Sequence, residues 1–260
     1  MRGITIVFVA SVWLLAACSR AEGTVEGPPE EAAMARVESV TGPLSFNVVT
    51  ESGVSEIRLA MLETPDGALS QSVLADLLAS ETVWIDPVRD DPDRYGRIIA
   101  RIWLGEAQPS ELLQVRLLES GAARVLAYPD NGPQEIESLL AVEAQARVQG
   151  HGLWGNPDHA IRDTDPDMLT QDTGVLQLVE GRIVTATELS SGRVYLNFGS
   201  DWRTDFTIRI DEADRPVFEA AGIDLAELEG YRVRVRGIIR SENGPMVRLN
   251  NPMRLEVLTD

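Results

Sequence analysis

Asp93-Arg94-Tyr95-Gly96-Arg97-Ile98-Ile99-Ala100-Arg101-Ile102-Trp103 is the stretch whose reading decides the fold. A polar, charged segment gives way at Ile98 to a β-branched and apolar run, the signature of a strand. Gly96 permits a tight entry into that strand. Arg97 then stands at its first position, where a side chain reaches out of the sheet rather than into a core. Upstream, β-like alternation is broken by turn signals at Thr41-Gly42-Pro43 and Glu51-Ser52-Gly53, which predicts strands over about 36–40, 44–49 and 55–62. Residues 67–79 carry Leu69, Val73, Leu74, Leu77 and Leu78 at helical spacing, one buried face of a helix. Thr82–Val88 and Gly96–Leu104 complete five strands. A last helix is predicted over Glu135–Gln149, with Ile136, Leu139, Leu140, Val142 and Ala146 on its inner face.

Asp-Arg-Tyr-Gly-Arg ahead of a strand resembles the central motif of staphylococcal-nuclease-like (thermonuclease-like) domains. Three flanking segments extend the resemblance. Arg58-Leu59-Ala60-Met61-Leu62-Glu63-Thr64-Pro65-Asp66 looks like the family's Arg-Leu-x-x-Ile-Asp-x-Pro-Glu element. Leu112–Arg124 looks like its next helix and strand, and Ala141–Trp154 like its last helix and closing Gly-Leu-Trp. The resemblance runs in order over residues 36–155. It implies a β-rich α+β fold, an OB-fold five-stranded barrel with helices.

The resemblance also implies a chemistry. Phosphodiester hydrolysis gathers negative charge on phosphoryl oxygens in the transition state, so catalysis is mostly positioning and electrostatic stabilisation. Arg58 and Arg97 match the family's two phosphate-binding arginines, and Tyr95, with Arg94 beside it, matches a substrate-site tyrosine. Asp66 stands where the family has its general-base Glu. Glu63 stands where it has a calcium-binding Asp, and Thr64 where a backbone carbonyl joins the metal. Ca²⁺ is thus the implied cofactor and nucleic acid the implied partner. Three departures bear on this. Asp66 is one methylene short, Glu63 is one methylene long, and the family's other calcium-binding Asp corresponds to Leu44. Losing a carboxylate ligand weakens the hold on a hard cation. Two functions are therefore carried forward. One is calcium-assisted hydrolysis of nucleic acid. The other is a non-catalytic binding or scaffold protein in which Arg58 and Arg97 serve as structural partners of Glu63 and Asp66.

The formal charge is -18, and all 23 basic residues are Arg. Such a balance excludes broad electrostatic attraction to nucleic acid, so any polyanion contact needs a local basic patch or a bound cation. Residues 1–17 read as a lipoprotein signal peptide: Arg2, a short apolar run from Ile4 to Leu15, then Leu15-Ala16-Ala17-Cys18. Cys18 is the sole cysteine and the expected lipidation site. Ser19 after it implies, by resemblance to such lipoproteins, an outer-membrane anchor facing the periplasm. Residues 18–35 read as a flexible acidic tether.

Residues 36–155 make the nuclease-like domain, 156–173 a Pro- and Asp-rich linker, and 174–260 a second domain. There, strands are predicted over 175–186, 192–199, 205–210, 231–240 and 246–258, with a helical stretch over 211–228, a second OB-like β-barrel. Arg232, Arg234 and Arg236 alternate along one strand and share a face. Such a face is usually a solvated or domain-docking surface; the alternative is single-stranded nucleic acid, with Tyr195, Phe198 and Trp202 either stacking on bases or simply in the core. His151 and His159 lie in the connector without metal-ligand spacing. Trp154 reads as a helix-end packing residue.

Overall fold

The structure is a computed structural model that describes residues 27–50, 53–79, 82–105, 111–129 and 131–258. Cys18, the signal segment and residues 18–26 of the tether lie outside the described residues.

The chain opens with β1 (Ala33–Gly42), β2 (Ser45–Thr50), β3 (Gly53–Leu59), a two-residue strand β4 (Leu62–Glu63) and helix α1 (Gly67–Leu77). Then come β5 (Thr82–Pro87), β6 (Ile98–Leu104), α2 (Leu113–Glu119), β7 (Arg124–Val125) and α3 (Pro133–Gln149). The order β1-β2-β3-β6-β5 closes a barrel. The five predicted strands are all present. β1 begins three residues earlier than the expected domain start, because Ala33–Arg36 pair with β5 and so close the barrel. Residues 33–35, read as tether, are therefore strand. The strand predicted to 62 stops at Leu59. Met61 turns the chain with φ of 62°, a left-handed conformation that interrupts pairing.

Phe46, Val48, Ile57, Ala100 and Ile102 are fully buried inside the barrel, and Leu74, Leu117, Ile136 and Leu139 cover it from the helices. Apart from Ala100, each of these side chains contributes about 1.5–3 kcal/mol by leaving water. One predicted feature of α3 changes. Glu143 joins the buried stripe Ile136–Leu139–Glu143–Ala146, while Leu140 and Val142 are partly buried against the barrel core. The reason lies in the second domain, as shown below.

The stretch 156–173 is not a bare linker. Pro157–His159 form a 3-10 turn and Pro166–Gln171 form helix α4, whose Leu169 is buried in the second core. Asp165 caps α4 by accepting hydrogen bonds from Asp167 and Met168 backbone N–H. Arg162 joins Leu178 and Glu180 through the main chain.

Next follow β8 (Leu176–Arg182), β9 (Thr185–Glu188), β10 (Val194–Asn197), β11 (Thr207–Ile210), α5 (Arg215–Ala220), β12 (Arg232–Ile238), β13 (Arg240–Ser241), β14 (Pro245–Leu249) and β15 (Leu255–Leu258). They form a five-stranded sheet, β13-β14-β11-β10-β9, and a three-stranded sheet, β15-β12-β8. Both sheets wrap one core of Leu196, Phe206, Ile208, Phe218, Val233, Val235 and Val247. The second domain is thus barrel-like, built from two sheets. The strand predicted over 246–258 is split in two. Asn251 caps a 3-10 turn at Pro252–Arg254, where proline lacks the N–H a ladder needs.

Candidate phosphate-binding cleft

β3 and β6 run parallel, with Ile57 opposite Ile98 and Arg58 opposite Ile99. Side chains alternate along a strand. Arg97, two residues before Ile99, therefore shares a face with Arg58. The five residues before β6 fold into a knot around one carboxylate. Asp93 Oδ1 accepts from the backbone N–H of Tyr95 (2.8 Å) and Arg97 (3.0 Å), while Oδ2 accepts from Arg97 Nε (2.9 Å) and Nη2 (2.7 Å). Gly96 takes φ of 81°, which closes the turn and which residues with a Cβ rarely adopt. Burial pushes the Asp93 carboxyl up, but the hydrogen bonds from Arg97 and Tyr95 outweigh it and hold the group at about 2. Tyr95 is 64% exposed, between the guanidiniums of Arg94 (4.7 Å to the ring centre) and Arg97 (5.0 Å).

Across the cleft, Arg58 is tied to main chain. Its Nη1 donates to the Leu59 carbonyl (2.8 Å), and its Nη2 to the Leu62 carbonyl (3.0 Å) and to Glu63 Oε2 (3.3 Å). These bonds span the turn at Met61. Burial pushes the Arg58 guanidinium down, partly offset by Glu63 and Tyr128.

These residues line a cleft of about 480 Å³ that takes in Arg58, Glu63, Arg94, Tyr95 and Arg97. Asp93 lines it too, and so do Arg89, Tyr128 and Asn131, to which the sequence alone assigns no role there. Four arginines against two carboxylates leave the cleft positive in a chain of charge -18. It is the local basic patch that the composition demands.

The cleft leaves out Thr64 and Asp66. Asp66 is the N-cap of α1, its Oδ1 accepting from the N–H of Ala68 and Leu69 (both 3.1 Å). Its other oxygen faces His159 Nε2 at 3.7 Å. The Thr64 hydroxyl bonds Asp66 and Ser70 instead. The expectation that Asp66 activates water beside the arginines is not met by this geometry. A shorter acid at the start of a helix finds the free N–H groups before it finds the cleft.

The donors for a hard cation do not fit either. Leu44 is 3% exposed, part of the barrel core. Glu63 spends its carboxylate on Arg58 and on the Thr64 N–H (3.2 Å). Among the described residues no group of three or more His, Cys, Asp or Glu is placed to hold a metal ion. Calcium normally takes six to eight oxygens, and Glu63 with one carbonyl of Thr64 falls far short.

The Arg232/Arg234/Arg236 row is neutralised by neighbours. Arg232 pairs with Glu180 (2.5 Å). Arg234 pairs with Glu180 (2.8 Å) and Glu256 (2.9 Å), both directly across the ladder. Arg236 is buried against Glu143. Arg236 alone docks against the first domain, while Arg232 and Arg234 are paired within the second, which fits the solvated or docking alternative for this face. Phe198 packs on Phe206, ring centres 5.0 Å apart and tilted by 42°, beside the core, while Tyr195 and Trp202 line a separate cavity of about 340 Å³. Trp154 packs against Arg124 and Arg147 at the end of α3, as predicted.

The closed five-stranded barrel with its covering helices is an OB-type fold. Residues 55–156 match the family described as staphylococcal nuclease homologue, so the chain carries a staphylococcal-nuclease-like domain. It is 28% identical over 114 residues to the thermonuclease of Staphylococcus intermedius, a match covering 39% of this chain and 64% of that protein. It is 26% identical over 125 residues to protein ParB of Escherichia coli, covering 45% and 69% respectively. The chain thus spans only about two thirds of the length of these relatives.

Proposed function

We propose that the cleft binds a nucleic-acid strand, with a backbone phosphate on Arg97, Arg94 and Arg58 and a base against Tyr95 and Tyr128. The observation that carries this reading is the convergence of four guanidiniums and two exposed rings in one positive cleft of an otherwise acidic chain. Arginine forks suit phosphate geometry, and aromatic faces take bases without regard to sequence. Arg97 keeps its orientation through Asp93, so it is held ready rather than recruited.

Hydrolysis of the bound phosphodiester is the second reading. It rests on Glu63, the cleft's one carboxylate outside the Asp93 knot, held by long bonds to Arg58 (3.3 Å) and the Thr64 N–H (3.2 Å) and still partly exposed. In that reading Arg58 and Arg97 stabilise charge on the phosphoryl oxygens, and Glu63 takes the proton of an attacking water. Leu15-Ala16-Ala17-Cys18 further supports a lipid-anchored, envelope-facing display of the domain. Among the described residues no helix is long and apolar enough to cross a membrane.

The test is one tube with two readouts. A fluorescein-labelled single-stranded oligonucleotide is titrated with the mature chain for anisotropy, then sampled for cleavage. Binding that weakens with salt and is lost in Arg97→Ala supports the binding reading, and cleavage lost in Glu63→Gln adds the second. No binding at low salt rejects both.

A further inference from the structure

Tyr128 walls the cleft but sits three residues beyond β7, in a surface turn closed by its own bonds with Asn131. A half-exposed ring on such a turn needs support from outside, and the second domain supplies it. Arg236 Nη1 donates to the Val125 carbonyl (3.0 Å), Arg254 Nε to the Ala127 carbonyl (2.5 Å) and Asn251 Nδ2 to the Tyr128 carbonyl (2.7 Å). The Arg254 guanidinium also lies 5.4 Å from the centre of the Tyr128 ring. Three donors from residues 236–254 thus grip three carbonyls in the stretch 125–128.

The grip reaches further into the cleft. β7 pairs with β4, Val125 opposite Leu62 and Arg124 opposite Glu63, and Leu126 N–H donates to the Met61 carbonyl at 2.8 Å. β4 carries Glu63 and the Leu62 carbonyl that holds Arg58. Displacing residues 125–128 therefore moves Tyr128 directly and Arg58 at one remove.

We propose that the second domain is a positioning part of the nucleic-acid cleft, and that Arg254 with Asn251 sets the Tyr128 ring as a stacking surface for one base. The proposal rests on the cleft being a nucleic-acid site. Arg254 touches no strand itself. It acts through its guanidinium over the ring and a directed bond to the preceding carbonyl. An ammonium cannot supply both that cation–ring contact and the fixed Nε donor.

The experiment uses the full mature chain as wild type, Arg254→Ala, Arg254→Lys and Asn251→Ala, with two probes: oligothymidine and the same length of abasic strand. Amide hydrogen exchange is followed without nucleic acid. A stacked base is worth about 1–3 kcal/mol, roughly 5- to 150-fold in affinity. Arg254→Ala is expected to lose about tenfold for oligothymidine and to keep its affinity for the abasic strand. Exchange should quicken over residues 124–131 but not in α1 or β5. Lysine should rescue little of this loss. Equal loss on both probes, or exchange quickened throughout the chain, makes Arg254 merely structural and overturns the proposal. Unchanged affinity with unchanged local exchange overturns it as well. If wild type binds neither probe, the cleft reading fails and takes the stacking role with it.

Discussion

Arg236 on β12 donates to both carboxylate oxygens of Glu143 on α3, at 2.9 and 3.1 Å, and the two side chains are 1% and 0% exposed. Glu143 also accepts from the Val125 N–H at 2.6 Å, and Arg236 reaches Glu256 at 3.0 Å. Burial alone would lower the Arg236 pKa, but Glu143 and Glu256 outweigh it and hold it above its ordinary value. The two domains are thus joined through a dry ion pair with every strong partner satisfied. Removing Glu143 leaves the buried Arg236 with Glu256 alone and the Val125 N–H without its acceptor, a loss of up to about 3–5 kcal/mol. Glu143→Ala should lower stability by that order, whereas Glu143→Leu with Arg236→Met should cost much less. Urea unfolding of the three variants decides it. A single variant as stable as wild type would show that the pair contributes nothing at this junction.

Asp66 tests whether a site residue named by motif has become a cap. Losing an N-cap acid costs about 1 kcal/mol. Asp66→Ala should destabilise the chain by about that much and leave oligonucleotide affinity unchanged. Asp66→Glu should also weaken the cap, because the longer side chain fits the N–H groups of Ala68 and Leu69 less well. Thermal unfolding and the cleavage assay measure the two effects. A cleavage rate that collapses in Asp66→Ala at full stability would restore its role as base.

Salt dependence reads the arginines. On single strands each neutralised phosphate adds about 0.7 to the slope of log affinity against log salt. Arg97→Ala should flatten that slope by about one such contact and Arg94→Ala by less, since Arg94 is exposed and also engages the Tyr95 hydroxyl at 2.6 Å. A slope untouched by Arg97→Ala would place the phosphate elsewhere.

Asp93 gives a pH signature. Its folded pKa, about 2, lies below the ordinary 3.8. A depressed carboxyl adds stability above its unfolded pKa and loses it as pH falls through the folded value. The knot at 93–97 should therefore hold at pH 5 and loosen between about pH 4 and 2. In Asp93→Asn the Tyr95 and Arg97 amide resonances should already be displaced at pH 5. Identical NMR spectra for wild type and Asp93→Asn would contradict the assigned bonds.

Much of this was legible in the chain itself. The barrel strands showed through the alternation of buried and exposed residues, and Asp93–Arg97 marked the entry to β6. The placing of Arg58 and Arg97 on one face follows from a parallel register that no local pattern reveals. Tyr128 and Asn131 reach the cleft from a turn that only tertiary packing positions. Arg236 looked like any member of a solvated stripe, because its partner lies 93 residues away on a helix whose inner face read as apolar. Asp66 misled for a local reason: its carboxylate has two suitors, and the helix end is nearer.

Photocrosslinking tests the central claim most directly. A single-stranded oligonucleotide carrying 5-iodouracil is irradiated with the mature chain, and the linked peptides are mapped by mass spectrometry. The account expects linkage at Tyr95 or Tyr128, competed away by unlabelled strand and lost in Arg97→Ala. Linkage confined to Tyr195 or Trp202 in the second domain, or none in residues 89–131, would contradict it.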